Sequence, residues 1–175
     1  MIDAYGWHHV FGEINNPPTG TNVSARVTAT LQLSGGGSVN VTAYTMIDLV
    51  VKGQKSPFDI VLANTAQSSQ VTGYTLSIST LTYSNTPYRS FANTSTTASV
   101  DDAGRYRIQG TLSNTGTIDA TFVQVIATFY DLTGIVRYAN WTYVDKINLT
   151  KAGTGDSSSS TFEVTASSKT AIQGY

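Results

Sequence analysis

The chain has 175 residues, a formal net charge of −1 and only 12% charged residues. Lysine and arginine are scattered singly, which argues against nucleic acid or an anionic membrane as a partner. Cysteine is absent, which excludes disulfides and thiolate metal sites. Serine and threonine together number 46, and a surface made soluble by hydroxyl groups is typical of extracellular β-proteins. We therefore expect an extracellular β-protein that binds no cofactor.

The first ten residues, MIDAYGWHHV, lack the basic start and apolar core of a signal peptide. No apolar run approaches the ~18 residues of a membrane-spanning helix. We expect an extracellular or cell-surface location, with any signal peptide outside this chain.

Two stretches, residues 10–39 and 108–136, repeat each other 98 positions apart. Each opens with an apolar–Gly–apolar strand that ends in asparagine and is followed by a polar turn. A repeat of this length indicates a duplicated folding unit. We predict one domain at residues 1–84 and a second at 100–175, joined by a Ser/Thr-rich linker at 85–99. The paired residues are Gly12 with Gly110 and Asn16 with Asn114.

A longer strand follows in each copy, around residues 25–31 and 123–129. Apolar and polar residues alternate there, which predicts one buried and one exposed face in an antiparallel sheet. Glycine turns at 35–38 and 131–134 predict hairpins. The apolar positions are Val27, Ala29 and Leu31 in the first copy and Val125, Ala127 and Phe129 in the second.

Further matched strands are predicted at residues 39–51 and 136–149 and at 58–60 and 162–164. Tyr44 and Trp141 align, and we expect both to fill the space between two sheets. Both copies then reach a Gly-Tyr pair, at 73–74 and 174–175. Many short strands and no helical period predict an all-β fold of two tandem immunoglobulin-like antiparallel β-sandwiches.

The repeated pattern resembles the F-x-L-Y-D domain family of bacterial and archaeal exported or surface proteins. The second copy departs from the signature, since only Tyr130 and Asp131 match it literally, and the first copy is more distant. The resemblance implies an immunoglobulin-like β-sandwich of undefined function, of a kind often found in multidomain cell-surface proteins. The positions that carry it are Gly110, Asn114, Val123, Val125, Ala127, Phe129, Tyr130, Asp131, Gly134 and Val136.

The first copy ends in an alternating strand at residues 74–83, and the second copy stops at Tyr175 before an equivalent strand. Three explanations stay open: the native protein continues beyond Tyr175, a neighbouring subunit supplies the strand, or the second domain tolerates a shorter sheet. The second explanation would produce filaments through strand complementation.

Residues suited to catalysis or metal binding are few. His8 and His9 are adjacent, so in a strand they face opposite sides and do not bind one metal together. Four acids considered for calcium lack the spacing of an EF-hand loop, and Asp131 suits the start of a turn. We therefore expect no enzyme activity. The four acids are Asp101, Asp102, Asp131 and Asp145.

Five N-x-[ST] sequons are candidate glycosylation sites in an exported protein. Among the aromatic residues, Tyr5 and Trp7 are the ones we expect to be exposed and available to a sugar. The sequon asparagines are Asn22, Asn40, Asn93, Asn140 and Asn148.

The leading hypothesis is a non-enzymatic structural or adhesion module, serving as a spacer in a larger envelope protein. The alternatives are a binding module for a glycan or a surface protein, and a subunit of a strand-complemented surface filament. Expected partners are other copies, other envelope proteins or a surface glycan.

Overall fold

The computed structural model describes residues 1–88 and 90–166. In this part of the chain the fold is all-β, with antiparallel sheets and almost no helix. The only α-helix described, α1 (Thr65–Ser68), is a single turn capped by the Asn64 side chain. None of the described helices has the length and apolar character needed to cross a bilayer. The strands are β1 (His8–Asn15), β2 (Asn22–Leu33), β3 (Ser38–Tyr44), β4 (Lys55–Leu62), β5 (Val71–Tyr83), β6 (Phe91–Val100), β7 (Tyr106–Asn114), β8 (Ala120–Thr121), β9 (Gln124–Tyr130), β10 (Val136–Tyr143), β11 (Asn148–Leu149) and β12 (Ser159–Thr165).

The chain divides into two compact units, unit 1 (Met1–Pro87) and unit 2 (Tyr88–Tyr175). In unit 1, β1 pairs with β4, and β2 lies between β3 and β5. In unit 2, β7 lies between β6 and β12, β9 pairs with β10, and the short β8 pairs with β11. The Gly-Tyr pair at 174–175 and the end of the predicted second domain lie outside the described residues.

The alternation in β2 and β9 places one face of each strand against the core of its unit. In unit 1, Val27, Ala29 and Leu31 of β2 are fully buried and share a core with Phe58 and Ile60 of β4. Burial of each large apolar side chain contributes about 1.5–3 kcal/mol. The unit 2 core is built in the same way, from Phe129, Val125, Ala127, Ile108, Phe162 and Val164.

The prediction of a linker at residues 85–99 is wrong, because strand β6 occupies much of this segment. Residues 91–100 form this strand, which pairs antiparallel with β7, and the boundary between the units falls between Pro87 and Tyr88. The composition suggested a loop because the segment is rich in Ser, Thr and Asn. Threonine is β-branched and suits a strand, and β7 supplies the hydrogen-bonding partner that composition alone does not reveal.

Tyr44 and Trp141 do not fill the space between sheets, which corrects that prediction. Tyr44 is opposite Arg26 and Trp141 is opposite Ile126, on the outer faces of their sheets. Their exposed fractions are 64% and 45%. The core faces were assigned correctly in β2 and β9. In β3 the burial alternates strictly, and Tyr44 falls in the exposed phase with Ser38, Asn40 and Thr42. In β10 a bulge between Val136 and Tyr138 shifts the register.

The turn at residues 131–134 forms as predicted, and two other turns in the chain have the same conformation. The Asp131 carboxylate accepts hydrogen bonds from the backbone N–H groups of Thr133 and Ile135. Gly134 has φ +79°, which favours glycine. Turns at residues 3–6 and 101–104 have the same aspartate bonds and the same positive φ at glycine.

Candidate functional site

The repeated glycine leaves room for a phenylalanine ring on the opposite strand. Gly12 of β1 pairs with Phe58 of β4, and Gly110 of β7 pairs with Phe162 of β12. A Cβ atom at Gly12 would lie 2.3 Å from Phe58 Cζ, and one at Gly110 would lie 2.6 Å from Phe162 Cζ. The apolar–Gly–apolar signature is therefore a packing requirement.

The repeated asparagine is buried at the end of the same strand. Asn16 donates from Nδ2 to the carbonyl oxygens of Thr21 (2.8 Å) and Val50 (2.9 Å). A buried side chain that satisfies loop carbonyls in this way stabilises the connection between the sheets.

Asn114 makes the equivalent bonds in unit 2 and further ones. Its Nδ2 donates to the carbonyls of Ile118 (2.8 Å) and Leu149 (3.3 Å). Its Oδ1 accepts from the Tyr88 hydroxyl (2.8 Å) and from the backbone N–H of Gly116 (3.1 Å).

A buried serine recurs two positions before each phenylalanine, and sequence reasoning missed it. Ser56 Oγ accepts the backbone N–H of Ile47 at 2.9 Å, and Ser160 Oγ accepts that of Lys146 at 2.9 Å. Both serines are buried. The signal was weak because serine is so common in this chain that one matched pair does not stand out.

One cluster of charged side chains in unit 1 surrounds His9. Its Nδ1 lies 2.9 Å from Asp59 Oδ1, and its Nε2 lies 3.3 Å from Asp3 Oδ2. The ring stacks on Phe11 with centroids 5.4 Å apart. Because a neutral imidazole donates from one nitrogen only, both bonds form together only when the ring is protonated.

Unit 2 has a cluster of the same charge pattern at the equivalent positions. Arg107 replaces the histidine, and its Nε lies 3.3 Å from Glu163 Oε1. Its Nη2 lies 3.8 Å from Asp101 Oδ2. A cation between two acids is thus retained although the residue types change, which indicates a structural ion cluster. The sequence repeat could have revealed this correspondence, because His9 and Arg107 are 98 positions apart, which is the offset of the repeat.

The acids hold the pKa of His9 above its usual range. The hydrogen bond that His9 donates to Asp59 is the largest cause, and the charges of Asp59 and Asp3 raise the pKa further, against the lowering effect of partial burial. Burial lowers the pKa of His8, whose Nδ1 is buried without a hydrogen-bond partner.

The two carboxylates of this cluster approach opposite nitrogens of one ring, so they do not converge on a single point. Among the described residues, no group of three or more His, Cys, Asp or Glu side chains is arranged to hold a metal ion. Of the acids considered for calcium, Asp101 and Asp131 each accept hydrogen bonds within their own turns. Hydrogen bonds from the Thr133 hydroxyl and the Ile135 N–H lower the pKa of Asp131.

An open groove of about 290 Å³ lies beside β9 in unit 2. Ile108 and Phe162 line it, together with Val125 and Ala127 of β9. Tyr130, from the predicted signature, also lines it, whereas Phe129 is fully buried in the core. Among the described residues, β9 pairs with β10 alone, so one edge of this strand borders the groove.

The five sequon asparagines fall into two structural groups. Asn22 donates from Nδ2 to the Asn85 carbonyl (2.7 Å), and Asn140 donates to the Thr165 carbonyl (2.8 Å). A glycan on Nδ2 would displace either bond. The other three, Asn40, Asn93 and Asn148, are exposed, although Asn93 also donates from Nδ2 to the Thr96 hydroxyl.

On each unit, some of the exposed aromatic side chains lie in ring contact with one another. Tyr5 and Trp7 are exposed as expected, with ring centroids 5.7 Å apart. In unit 2, Tyr143 contacts Trp141 at 5.3 Å and Phe122 at 6.2 Å. Phe122 has φ +51°, a conformation that is rare for a bulky residue. Sequence reasoning missed this second cluster because it placed Trp141 in the core.

No family model matches the chain, and no curated protein or solved structure matches it either.

Proposed function

We propose that each unit is an immunoglobulin-like β-sandwich and that the chain is a tandem structural module of a larger exported or cell-surface protein. The observation that carries the proposal is that three structural features of unit 1 are repeated in unit 2. Both units repeat the glycine under a phenylalanine ring, the buried asparagine and the cation between two acids.

The differences between the two copies support a structural role. The cation changes from His9 to Arg107 and one acid from Asp59 to Glu163, while the contact pattern stays the same. A packing role tolerates such exchanges, because it requires charge and size rather than a particular pKa. A spacer in an array of repeats has the same requirement in every unit.

The surface composition is consistent with an exported setting, where hydroxyl groups replace charge as the source of solubility. The likeness to F-x-L-Y-D domains, which belong to surface and exported proteins, supports the same setting.

Single-molecule pulling on the two ends of the chain tests this proposal. A spacer built from two independent units should unfold in two events. Each event should release about 300 Å of contour length, because 87 residues of unit 1 extend to ~3.5 Å each. One combined event, or unfolding without a measurable force peak, would contradict the proposal.

A second function, glycan binding, is favoured by the exposed cluster of Phe122, Trp141 and Tyr143. Aromatic rings present an apolar body at a wet surface, which suits stacking on a sugar. A glycan array should then yield ligands that Trp141→Ala no longer binds, while Tyr44→Ala, an exposed aromatic on the equivalent strand of unit 1, binds as before. An array without a reproducible ligand would eliminate this function.

A further inference from the structure

Strand β5 lies at the edge of its sheet in unit 1. It pairs with β2 along its whole length, from Tyr83 opposite Asn22 to Val71 opposite Leu33. Among the described residues, β2 is the only strand that pairs with it. The other side of β5 therefore presents a row of backbone N–H and C=O groups, which is a template on which a further strand can pair.

β5 lacks the features that protect most edge strands. Native edges are usually blunted by charged side chains, by proline or by a short length. β5 has 13 residues, and none of them is Lys, Arg, Asp, Glu or Pro. Its residues from Tyr74 to Tyr83 are all exposed. A bulge interrupts its ladder with β2 only at Thr72, so the edge from Gly73 onwards is long and regular.

The apolar side of β5 lies at the surface. Tyr74, Leu76 and Ile78 are opposite the three fully buried core residues of β2, and directly opposite residues share one face of a sheet. The three β5 side chains are nevertheless 50%, 44% and 58% exposed. The apolar face of this sheet therefore continues beyond the core of unit 1 and ends in an uncovered strip.

The polarity pattern of this edge is symmetric about Leu76. The first residue on either side of it carries a hydroxyl group, the second is apolar and the third is small. A second copy that lies antiparallel across a two-fold axis at Leu76 would therefore place apolar side chains opposite apolar ones on the inner face. A shift by one residue would exchange the two faces and lose this match. The symmetric pairs are Thr75 with Ser77, Tyr74 with Ile78 and Gly73 with Ser79.

Charge favours a second copy over a charged partner. Arg26 is the only charged residue in the sheet formed by β2, β3 and β5. It lies opposite Ser79, which the two-fold axis brings opposite Gly73 of the other copy. The two arginines would then be six residues apart along the strands, about 20 Å, which exceeds the Debye length of about 8 Å. A charged partner strand would find no opposite charge on β5.

We propose that two copies of this chain pair through β5, antiparallel about a two-fold axis at Leu76, so that their three-stranded sheets join into one sheet of six strands. Residues 73–79 of each copy form the new ladder, which is about 24 Å long. With a width of about 10 Å, this strip is smaller than the ~800 Å² that each partner buries in a standard interface. The dimer is therefore weak, and its population depends on protein concentration.

Sedimentation equilibrium of the full chain, from about 10 μM to about 1 mM, tests the proposal. The chain should change from monomer to dimer over this range. It should form nothing larger, because a two-fold interface closes on itself. A chain that stays monomeric at the highest concentration, or that grows beyond a dimer, would overturn the proposal.

Substitutions at the two-fold axis test the register. Leu76→Lys places two like charges directly opposite each other and should weaken self-association by at least about tenfold. Leu76→Glu should do the same, whereas an equimolar mixture of the two variants should dimerise, because opposite charges then meet. Tyr83→Lys is the control, since Tyr83 lies outside the paired residues and is 42% exposed against 44% for Leu76.

Each of these variants changes an exposed side chain, and fluorescence of Trp7, which lies in unit 1, shows whether the unit is folded. The dimer of Tyr83→Lys should be as stable as that of the unchanged chain. Unaltered association of Leu76→Lys, a mixture that stays monomeric, or loss of the dimer in Tyr83→Lys would contradict the proposed register.

A disulfide locates the contact independently. The chain has no cysteine, so an introduced thiol has only its copy in the second molecule as a partner. Directly opposite residues have Cβ atoms about 4.5–5.5 Å apart, close to the distance that a disulfide bridges, so Leu76→Cys should form a covalent dimer under mild oxidation. Ser79→Cys, also exposed on β5, should not, because its two copies lie about 20 Å apart. Equal cross-linking at both positions would overturn the proposal.

Discussion

Replacement of Asn114 by alanine should destabilise unit 2 strongly and leave unit 1 nearly unchanged. Asn114 is 2% exposed and makes four hydrogen bonds, two from Nδ2 and two to Oδ1. At about 1 kcal/mol for each bond, the expected loss is about 4 kcal/mol. This is a large part of the roughly 5–15 kcal/mol that stabilises a typical domain.

The position of the two tryptophans allows each unit to be followed separately. Trp7 lies in unit 1 and Trp141 in unit 2, and the chain has no other tryptophan. Urea unfolding of Asn114→Ala is therefore recorded by fluorescence in a Trp7→Phe background for unit 2 and in a Trp141→Phe background for unit 1. The expected result is a much lower midpoint for unit 2 alone.

Two further variants calibrate the measurement. Asn16→Ala removes the two bonds to Thr21 and Val50 and should cost unit 1 about 2 kcal/mol. Asn40→Ala, at an exposed position of β3, should change stability by about 0.5 kcal/mol or less. A loss below about 1 kcal/mol for Asn114→Ala, or equal losses in both units, would refute the assignment of Asn114 as a buried clamp.

Three other predictions concern the contact between Gly12 and the opposite ring, the ion cluster around His9, and the glycosylation sites. Gly12→Ala should cost unit 1 about 1–3 kcal/mol in urea unfolding, because the new Cβ overlaps the opposite ring; Gly35→Ala, with no atom closer than 3.9 Å, is the control. Because bonding to two acids raises the pKa of His9, its stabilisation is complete below pH ~6.5 and is lost as the pH rises through the raised pKa. Unit 1 should therefore be less stable at pH 9 than at pH 6, and His9→Arg should remove that difference; an unchanged pH profile would contradict the role of the cluster. In a glycosylating host, mass spectrometry should detect a glycan on Asn148 and none on Asn140, whose Nδ2 is hydrogen-bonded; a glycan on Asn140 in folded protein would contradict this.

The sequence by itself determined the strands with strong alternation and the turns with strong local chemistry. The core face of β2 could be assigned because Val27, Ala29 and Leu31 alternate with polar residues. The turn after Asp131 could be assigned because an aspartate followed by glycine three residues later satisfies its own backbone. Both are local properties, so no knowledge of distant segments was needed.

The tertiary structure decided what depends on a partner strand. Residues 91–100 form β6 because β7 offers a free edge, and the serines and threonines of this segment give no such indication alone. Trp141 lies outside because the register of β10 against β9 sets its face. The clusters around His9 and Arg107 form because β1 and β7 lie beside β4 and β12. The repeat predicted that the two units share one plan, but the ladder of long-range hydrogen bonds determined which side chains meet.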